Sequence, residues 1–246
     1  MKTLRFVKMQ GSGNDFVVVR HKGVLPVEKI CDRKFGVGAD GVLWMGPSPK
    51  ADVRMRIFNA DGSEAEMCGN GARCLAFYYA ALSQKKKFCI ETRAGILEAS
   101  VDGARVKLHM TDPTDLRLDV NITVGGQVFD ADFVNTGVPH TVVEVDALDG
   151  VPVQKLGRSI RRHDLFKPAG TNVNFVKVIS RDRIRVRTYE RGVEDETLAC
   201  GTGACSTAVA SALNGKTGRE VDVKIALGTL HIDWAEDNHV YMTGPA

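Results

Sequence analysis

Apolar and polar residues alternate with a period of two over residues 3–9, 16–20, 53–58, 101–110, 141–145, 183–189 and 221–227, and these runs mostly end at Gly, Asp or Asn. Such alternation predicts half-buried strands closed by turns. Two stretches read differently. Residues 72–82 and 204–213 are rich in Ala, free of Gly and Pro, and long enough for about three helical turns. A charged segment, 28–34, predicts a short helix ahead of the apolar run Val42-Leu-Trp-Met45. Each Ala-rich stretch follows a Gly-rich turn that carries a cysteine.

Overlaying those stretches exposes an internal repeat. Cys68-Gly-Asn-Gly-Ala-Arg-Cys74 matches Cys200-Gly-Thr-Gly-Ala-Cys205, and Glu64 and Glu196 each lie four residues before the first cysteine. Ala80-Ala-Leu82 answers Ser211-Ala-Leu213, and Ala94-Gly-Ile-Leu97 answers Leu227-Gly-Thr-Leu230 as strand signals after the helix. Two related halves are the economical reading. The Pro-containing stretch Asp112-Pro113-Thr-Asp115 predicts the seam.

Composition narrows the function. The 246 residues carry 33 Lys plus Arg against 30 Asp plus Glu, a net charge of +3, which argues against a dedicated nucleic-acid binder. With 43% hydrophobic and 26% charged residues the chain has a globular composition. No run approaches the roughly 18 apolar residues of a membrane span, and the first thirty residues lack a signal-peptide core, so the expected location is the cytoplasm, away from membranes. Six cysteines are too sparse for a disulfide scaffold. Cys31 and Cys89 read as small buried hydrophobes, and Cys74 and Cys205 as packing residues on apolar helix faces.

Cys68 and Cys200 read as chemistry. Each stands just before a helix whose first backbone N–H groups have no partner inside it and whose dipole is positive. Such a turn binds anions, and glycine there lets a carboxylate reach the backbone donors. A thiol in that position is expected to gain acidity. Two copies related by a pseudo-twofold would place Cys68 and Cys200 on opposite sides of one carboxylate-bearing carbon. One thiolate then removes the α-proton and the opposite thiol returns another, while the helix ends absorb the enolate charge. A thiol-based metal-binding or redox-sensing protein is the rival reading, although the spacings C-x5-C and C-x4-C include no C-x2-C. Gly36-Val-Gly38-Ala-Asp-Gly41 matches a dinucleotide-binding pattern, but it follows the short helix and precedes an apolar run. The required order of strand, turn and helix is reversed, so a tight turn into a strand is expected.

Further motifs carry a resemblance. Lys8-Met-Gln-Gly-Ser-Gly-Asn-Asp-Phe16, Cys31-Asp-Arg-Lys-Phe-Gly-Val-Gly-Ala-Asp-Gly41, Phe58-Asn-Ala-Asp-Gly62 and Tyr189-Glu-Arg-Gly192 occur in this order around the two cysteine motifs. Over nearly its whole length the chain resembles the diaminopimelate epimerases, pyridoxal-independent members of the two-cysteine racemase group. The resemblance implies an α/β (α+β) fold of two pseudo-symmetric domains, each a β-barrel-like sheet around a central helix, with the active site in the interdomain cleft. It places residues 1–112 in the first half, with a returning C-terminal strand at 238–246, and 113–237 in the second. The implied reaction interconverts LL- and meso-2,6-diaminopimelate in lysine and peptidoglycan precursor synthesis. No cofactor or metal is implied, the partner is a small-molecule substrate, and the assembly is a homodimer. A related racemase of other specificity stays open.

Carried over by motif, Cys68 and Cys200 are the acid/base pair, Cys68 the donor and Cys200 the acceptor in the LL direction. Gly69, Asn70, Gly201 and Thr202 hold the reacting carboxylate. Asn14, Asn59, Asn172, Glu190 and Arg191 read the amino group and the distal end, with His140 in support near the thiols. A guanidinium forks onto a carboxylate, while Asn and Glu oxygens accept from ammonium groups. On the residues alone, Asn14 and Asn59 could be turn residues, Glu190 and Arg191 a solvated pair, and His140 a structural imidazole. Two positions depart from the family pattern: Val138 stands where many members have Asn, and Gly41 where some have Gln. Asn135 or a water is expected to compensate.

Overall fold

The structure is a computed structural model that describes residues 3–20 and 23–246. It is a sheet-rich α+β protein, and the chain divides into two compact units, one of residues up to His109 with Thr243–Ala246, the other Met110–Met242. The first unit runs β1 (Phe6–Gly11), β2 (Asn14–Val19), α1 (Val27–Cys31), β3 (Gly41–Gly46), β4 (Val53–Asn59), β5 (Glu64–Ala65), α2 (Gly69–Ser83), β6 (Lys87–Thr92), β7 (Gly95–Asp102) and β8 (Arg105–His109). β1 and β2 pair antiparallel, β2 and β3 parallel across α1, and β3 and β4 antiparallel. Strand β4 takes β5 antiparallel and, across α2, β6 parallel; β6, β7 and β8 then form an antiparallel meander.

The second unit runs β9 (Thr114–Val124), β10 (Gln127–Asn135), β11 (Pro139–Glu144), α3 (Val153–Arg161), β12 (Asn172–Ser180), β13 (Arg183–Glu190), β14 (Asp195–Thr197), α4 (Gly201–Leu213), β15 (Glu220–Ile225) and β16 (Gly228–Trp234). From β10 to β16 its pairings repeat those of β1 to β7, with β11 parallel to β12 across α3 and β13 parallel to β15 across α4. The duplication seen in the cysteine motifs is therefore a duplication of topology, with β9 added ahead of it. The last strand, β17 (Val240–Pro245), begins among residues of the second unit and ends in the first. The division falls between His109 and Met110, and residues 240–242 group with the second unit, where Met110 N–H donates to Val240 O at 2.8 Å.

Each repeat wraps its sheet around one helix. Helix α2 packs against β1, β2, β3, β4, β7 and β8, and α4 against β10, β11, β12, β13, β15 and β16. A helix covered on nearly every side is apolar all round, which is why α4 is a run of Ala, Val, Ser and Thr with a buried face at almost every position. Both helices begin three residues before the expected starts, at Gly69 and Gly201. Their glycines answer to packing: a Cβ on Gly71 would lie 2.9 Å from Leu43 Cδ2, and one on Gly203 would lie 2.5 Å from Asn174 Oδ1.

Other expectations are corrected. The strand expected over 101–110 is two strands, β7 and β8, broken at Gly103, whose φ is +55°. The run 221–227 ends at Ile225. The helix expected over 28–34 stops at Cys31, and Asp32 Oδ1 closes the turn that follows by accepting from Lys34 N–H and Phe35 N–H at 2.7 and 2.8 Å. Helix α3 has no counterpart in the pattern analysis, because Gly157 interrupts it. That glycine faces Tyr189, whose Cβ would sit 2.5 Å from an added Cβ. Strand β12 is absent from the expected runs although Asn172-Val-Asn-Phe175 alternates; its first five residues are all buried, the two asparagines included. No helix among the described residues is long and apolar enough to cross a membrane.

The contact at Gly157 makes a direct test of the packing of α3. Gly157→Ala should cost about 1–3 kcal/mol, the usual penalty of overpacking a core. A lowered urea midpoint with unchanged slope is the expected result. An unchanged midpoint would mean that α3 is not seated on Tyr189 as described.

Candidate active site

In the first unit Cys68 is the N-cap of α2, in extended conformation (φ −146°, ψ 120°), and its sulfur accepts from Gly71 N–H at 3.5 Å. The first helical bond of α2 runs from Ala72 N–H to Cys68 O, so the amides of Gly69, Asn70 and Gly71 all precede it. The Cys68 thiol lies 3.7 Å from Asn14 Oδ1, which also accepts from Asn70 Nδ2 at 3.4 Å. Asn14 is itself oriented, because its Nδ2 donates to Asp40 Oδ2 at 2.9 Å. Arg33 holds both acids of this cluster, reaching Asp40 at 2.7 Å and Asp15 at 2.8 Å. The glycine pattern at 36–41 contains the aspartate that orients Asn14, and it lies between α1 and β3, in the order of helix, turn and strand.

Beneath that cluster lies Arg73, fully buried. Its Nη2 donates to Asn70 Oδ1 and to Ser12 Oγ, each at 3.1 Å, and its Nε to Pro245 O at 3.1 Å. This bond turns the Asn70 amide so that its nitrogen faces Asn14. Asn59, at the end of β4, is exposed and donates to Ser63 Oγ at 3.0 Å, so its hydrogen bonds are those of a turn.

The repeated glutamates have a mechanical explanation. Arg56 Nε and Nη2 grip the Glu64 carboxylate at 2.8 and 2.9 Å, and Arg187 grips Glu196 at 2.7 and 2.8 Å. Each fork ties the strand before the cysteine loop to the short strand leading into it, at the same place in both repeats.

In the second unit Cys200 caps α4 (φ −124°, ψ 109°), and the first helical bond, Ala204 N–H to Cys200 O, leaves the amides of Gly201, Thr202 and Gly203 ahead of it. Cys200 Sγ lies 3.6 Å from Thr202 Oγ1, which lies 3.0 Å from His140 Nε2. His140 Nδ1 in turn faces Asn174 Nδ2 at 3.1 Å. The Glu190 carboxylate lies against the Cys200 sulfur. Next to this group, Asn172 Nδ2 donates to Pro139 O at 3.0 Å and Asn172 Oδ1 accepts from Arg191 N–H at 2.8 Å. Arg191, Pro139 and Asn135 also line a cavity of about 310 Å³ with Arg117 and Phe133.

The electrostatics correct one expectation. Burial, and then the Glu190 carboxylate, push the Cys200 thiol well above its ordinary value, so helix-start acidification does not prevail there. His140 is driven down to about 3 by burial and then by the Arg191 charge, and is neutral. Cys74 and Cys205 are fully buried, with Cys74 pushed up to about 12 by burial, as suits packing residues. Cys31 is buried as well, but Cys89 is only half-buried. Among the described residues no group of side chains close enough to share a metal ion contains a cysteine.

Of the residues named from sequence, Asn14 and Asn70 lie around Cys68, and Thr202, His140 and Glu190 around Cys200. The residues that hold these neighbours, Arg73, Ser12 and Asn174, were not among them, nor was Thr188, which donates to Asn174 Oδ1 at 2.9 Å. Only Arg73, inside the cysteine motif, carried a usable signal, a cation on an otherwise apolar helix. At Gly41 a Cβ would lie 2.6 Å from Phe58 O, so this chain has no room for a polar side chain there. Asn135 Oδ1 accepts from Gly137 N–H at 3.0 Å and so shapes the turn leading to Pro139 and His140.

The arrangement of two sheet-wrapped helices is that of known solved structures. A phenazine biosynthesis protein of Bacillus anthracis superposes with a TM-score of 0.75 at 18% identity, over 100% of this chain and 96% of that one. A probable proline racemase of Agrobacterium radiobacter K84 gives 0.73 at 16%, over 99% and 90%. The chain has their fold. Its family follows from sequence: the diaminopimelate epimerase profile matches residues 6–116 and 133–246. Diaminopimelate epimerase of Moorella thermoacetica is 44% identical over 270 aligned residues, covering 99% of this chain and 96% of that protein. The Aquifex aeolicus one is 46% identical over 263, covering 98% and 94%. The chain belongs to the diaminopimelate epimerase family, and it is an isomerase. The internal stretch between the two matched segments, 117–132, is the outer part of the β9–β10 hairpin.

Two measurements test this site. Iodoacetamide at neutral pH, with peptide mapping, should label Cys68 well before Cys200, because Cys200 is 6% exposed and held protonated; faster labelling of Cys200 would contradict that environment. Arg73→Lys keeps the charge but cannot reach Ser12, Asn70 and Pro245 together. It should cost about 1–3 kcal/mol of stability, as expected when buried polar groups lose partners. An Arg73→Lys variant as stable as the parent would show that the fork is not needed.

Proposed function

We propose that this chain interconverts LL- and meso-2,6-diaminopimelate by proton transfer at one α-carbon, with Cys68 and Cys200 as the two acid/base groups. The observation that carries the reading is the duplicated, cysteine-capped helix start with three amides ahead of the first helical bond. Those amides suit a carboxylate, and the developing enolate charge falls on that carboxylate. The α-proton is a very weak acid, so stabilisation of this charge must supply most of the rate.

The unequal surroundings of the thiols set their order of action. Cys200, held neutral, is the acid in the state described and Cys68 the base, which is the reverse of the LL-direction roles that the resemblance implies and so the form that takes up the meso epimer. One turnover exchanges the protons, and the reverse reaction begins from the exchanged form. Backbone N–H groups of Gly69, Asn70, Gly201 and Thr202 hold the reacting carboxylate. Glu190 and Asn14 accept from the α-ammonium, while Arg191, with Asn172 and Asn59, reads the distal amino-acid end. Val138 supplies no polar group to that end, and Asn135 compensates by shaping the loop that presents Pro139. On this reading the enzyme is a homodimer in the cytoplasm.

Proton NMR in D₂O with LL-diaminopimelate, and with glutamate, proline and histidine in parallel, tests the assignment. Deuterium should enter the α-position of diaminopimelate alone; entry into one of the others in its place would assign a different racemase. Cys68→Ala and Cys200→Ala should each abolish epimerisation in metal-free buffer. Full activity in either variant would remove the pair.

A further inference from the structure

The hydrogen bonds around His140 have a fixed direction. Thr141 O can only accept, and it lies 3.3 Å from Asn174 Nδ2, so this nitrogen and not the amide oxygen faces the carbonyl. The Asn174 oxygen is then left for Thr188 Oγ1, which donates to it at 2.9 Å. A Cβ on Gly203 would lie 2.5 Å from the same oxygen, so the start of α4 presses Asn174 in place. The remaining N–H of Asn174 Nδ2 points at His140 Nδ1, 3.1 Å away. A nitrogen that receives a donated hydrogen carries none of its own. His140, neutral because burial and then Arg191 hold it so, must therefore bear its proton on Nε2.

This proton goes to Thr202 Oγ1 at 3.0 Å. In this tautomer His140 offers no lone pair to the Thr202 hydroxyl, so the hydroxyl hydrogen is left for the Cys200 sulfur at 3.6 Å. A thiolate formed at Cys200 then finds a donor in place. In the opposite tautomer Nε2 would take that hydrogen, and the thiolate would face oxygen lone pairs. The charged groups facing this chain are Arg191 near the imidazole and Glu190 against the sulfur. Glu190 repels a thiolate, which makes the Thr202 donor matter more.

We propose that Asn174 locks His140 as the Nε2–H tautomer and so aims the Thr202 hydroxyl at Cys200, which makes Asn174 a positioning residue for the acid/base thiol. The lock itself is a property of the second unit; its effect on rate rests on the epimerase reading above. No atom of Asn174 takes part in proton transfer, and its influence passes through the imidazole and the hydroxyl.

Long-range ¹H–¹⁵N correlation spectra of the uniformly ¹⁵N-labelled protein test the lock without substrate, with the His140 ring signals identified by their loss in His140→Gln. The expected pattern has Nε2 protonated and Nδ1 bare, unchanged between about pH 5.5 and pH 8, a range across which an ordinary histidine titrates. A proton on Nδ1 in the wild-type protein overturns the proposal. Asn174→Asp puts an acceptor where the donor stood and should move the proton to Nδ1. It should also lower kcat/KM roughly tenfold or more, the effect of losing a charge-assisted hydrogen bond. The fall should be equal in both directions, since the equilibrium between epimers fixes their ratio. Asn174→Leu, run beside it to avoid burying a carboxylate, should leave a mixture of tautomers and a smaller fall, in proportion to the fraction of His140 that loses the Nε2 proton. Retention of both the tautomer and the rate in Asn174→Leu also overturns the proposal. A wild-type Nε2–H pattern without α-proton exchange on diaminopimelate would leave the lock standing and refute the epimerase reading instead.

Discussion

The amides at the start of a buried helix must find partners, and this constraint shapes the protein twice over. Helices α2 and α4 begin among the strands that enclose them, and Gly71 and Gly203 press those starts against Leu43 and Asn174. A side chain at either glycine would lift the helix away. Sulfur is a soft, weakly demanding cap compared with the oxygen of Ser or Asp. In the proposed reaction it would hold its own amide only weakly, at 3.5 Å for Gly71 N–H on Cys68, and stand beside the bound carboxylate as a proton carrier.

The repeats share a backbone but have diverged in polar detail. Around Cys68 the neighbours are amides, Asn14 and Asn70, held by Arg73 below and by the Asp15, Asp40 and Arg33 cluster at the side. Around Cys200 they are Thr202, His140 and Glu190, in a pocket dry enough to keep the imidazole neutral and the thiol protonated. Asymmetry of this kind is what a two-base reaction requires, because at each moment one thiol has to give a proton and the other to take one. The mirrored forks Arg56 to Glu64 and Arg187 to Glu196 did not diverge, since they brace the loop in both cases.

Much of this was legible in the sequence, for reasons that differ by element. The repeat showed because glycine and cysteine at a helix start tolerate little change, and the central helices showed because burial on all sides demands small apolar residues. Helix α3 was hidden because a glycine required by Tyr189 reads as a break, and nothing in the alternation of β12 showed that its polar positions, Asn172 and Asn174, lie inside. The thiols and their immediate polar neighbours were visible through the motif match. The hydrogen-bond directions that aim them were not, since Asn174, Thr188 and Ser12 lie far along the chain from the cysteines they serve and resemble ordinary strand and turn residues. Helix-start acidification was the natural expectation for Cys200, and it failed because burial and a facing carboxylate outweigh the lowering by the Thr202 hydroxyl and the Gly203 amide.

The central claim is that two different groups handle the proton that leaves and the proton that arrives. Its most direct measurement is the distribution of deuterium early in the reaction, when LL-diaminopimelate is epimerised in D₂O and substrate and product are separated after a few per cent conversion. Two thiols predict α-deuterium in essentially all the meso product and almost none in the recovered LL substrate. Substantial unlabelled product, formed by return of the same hydrogen, would point to a single base and contradict the account.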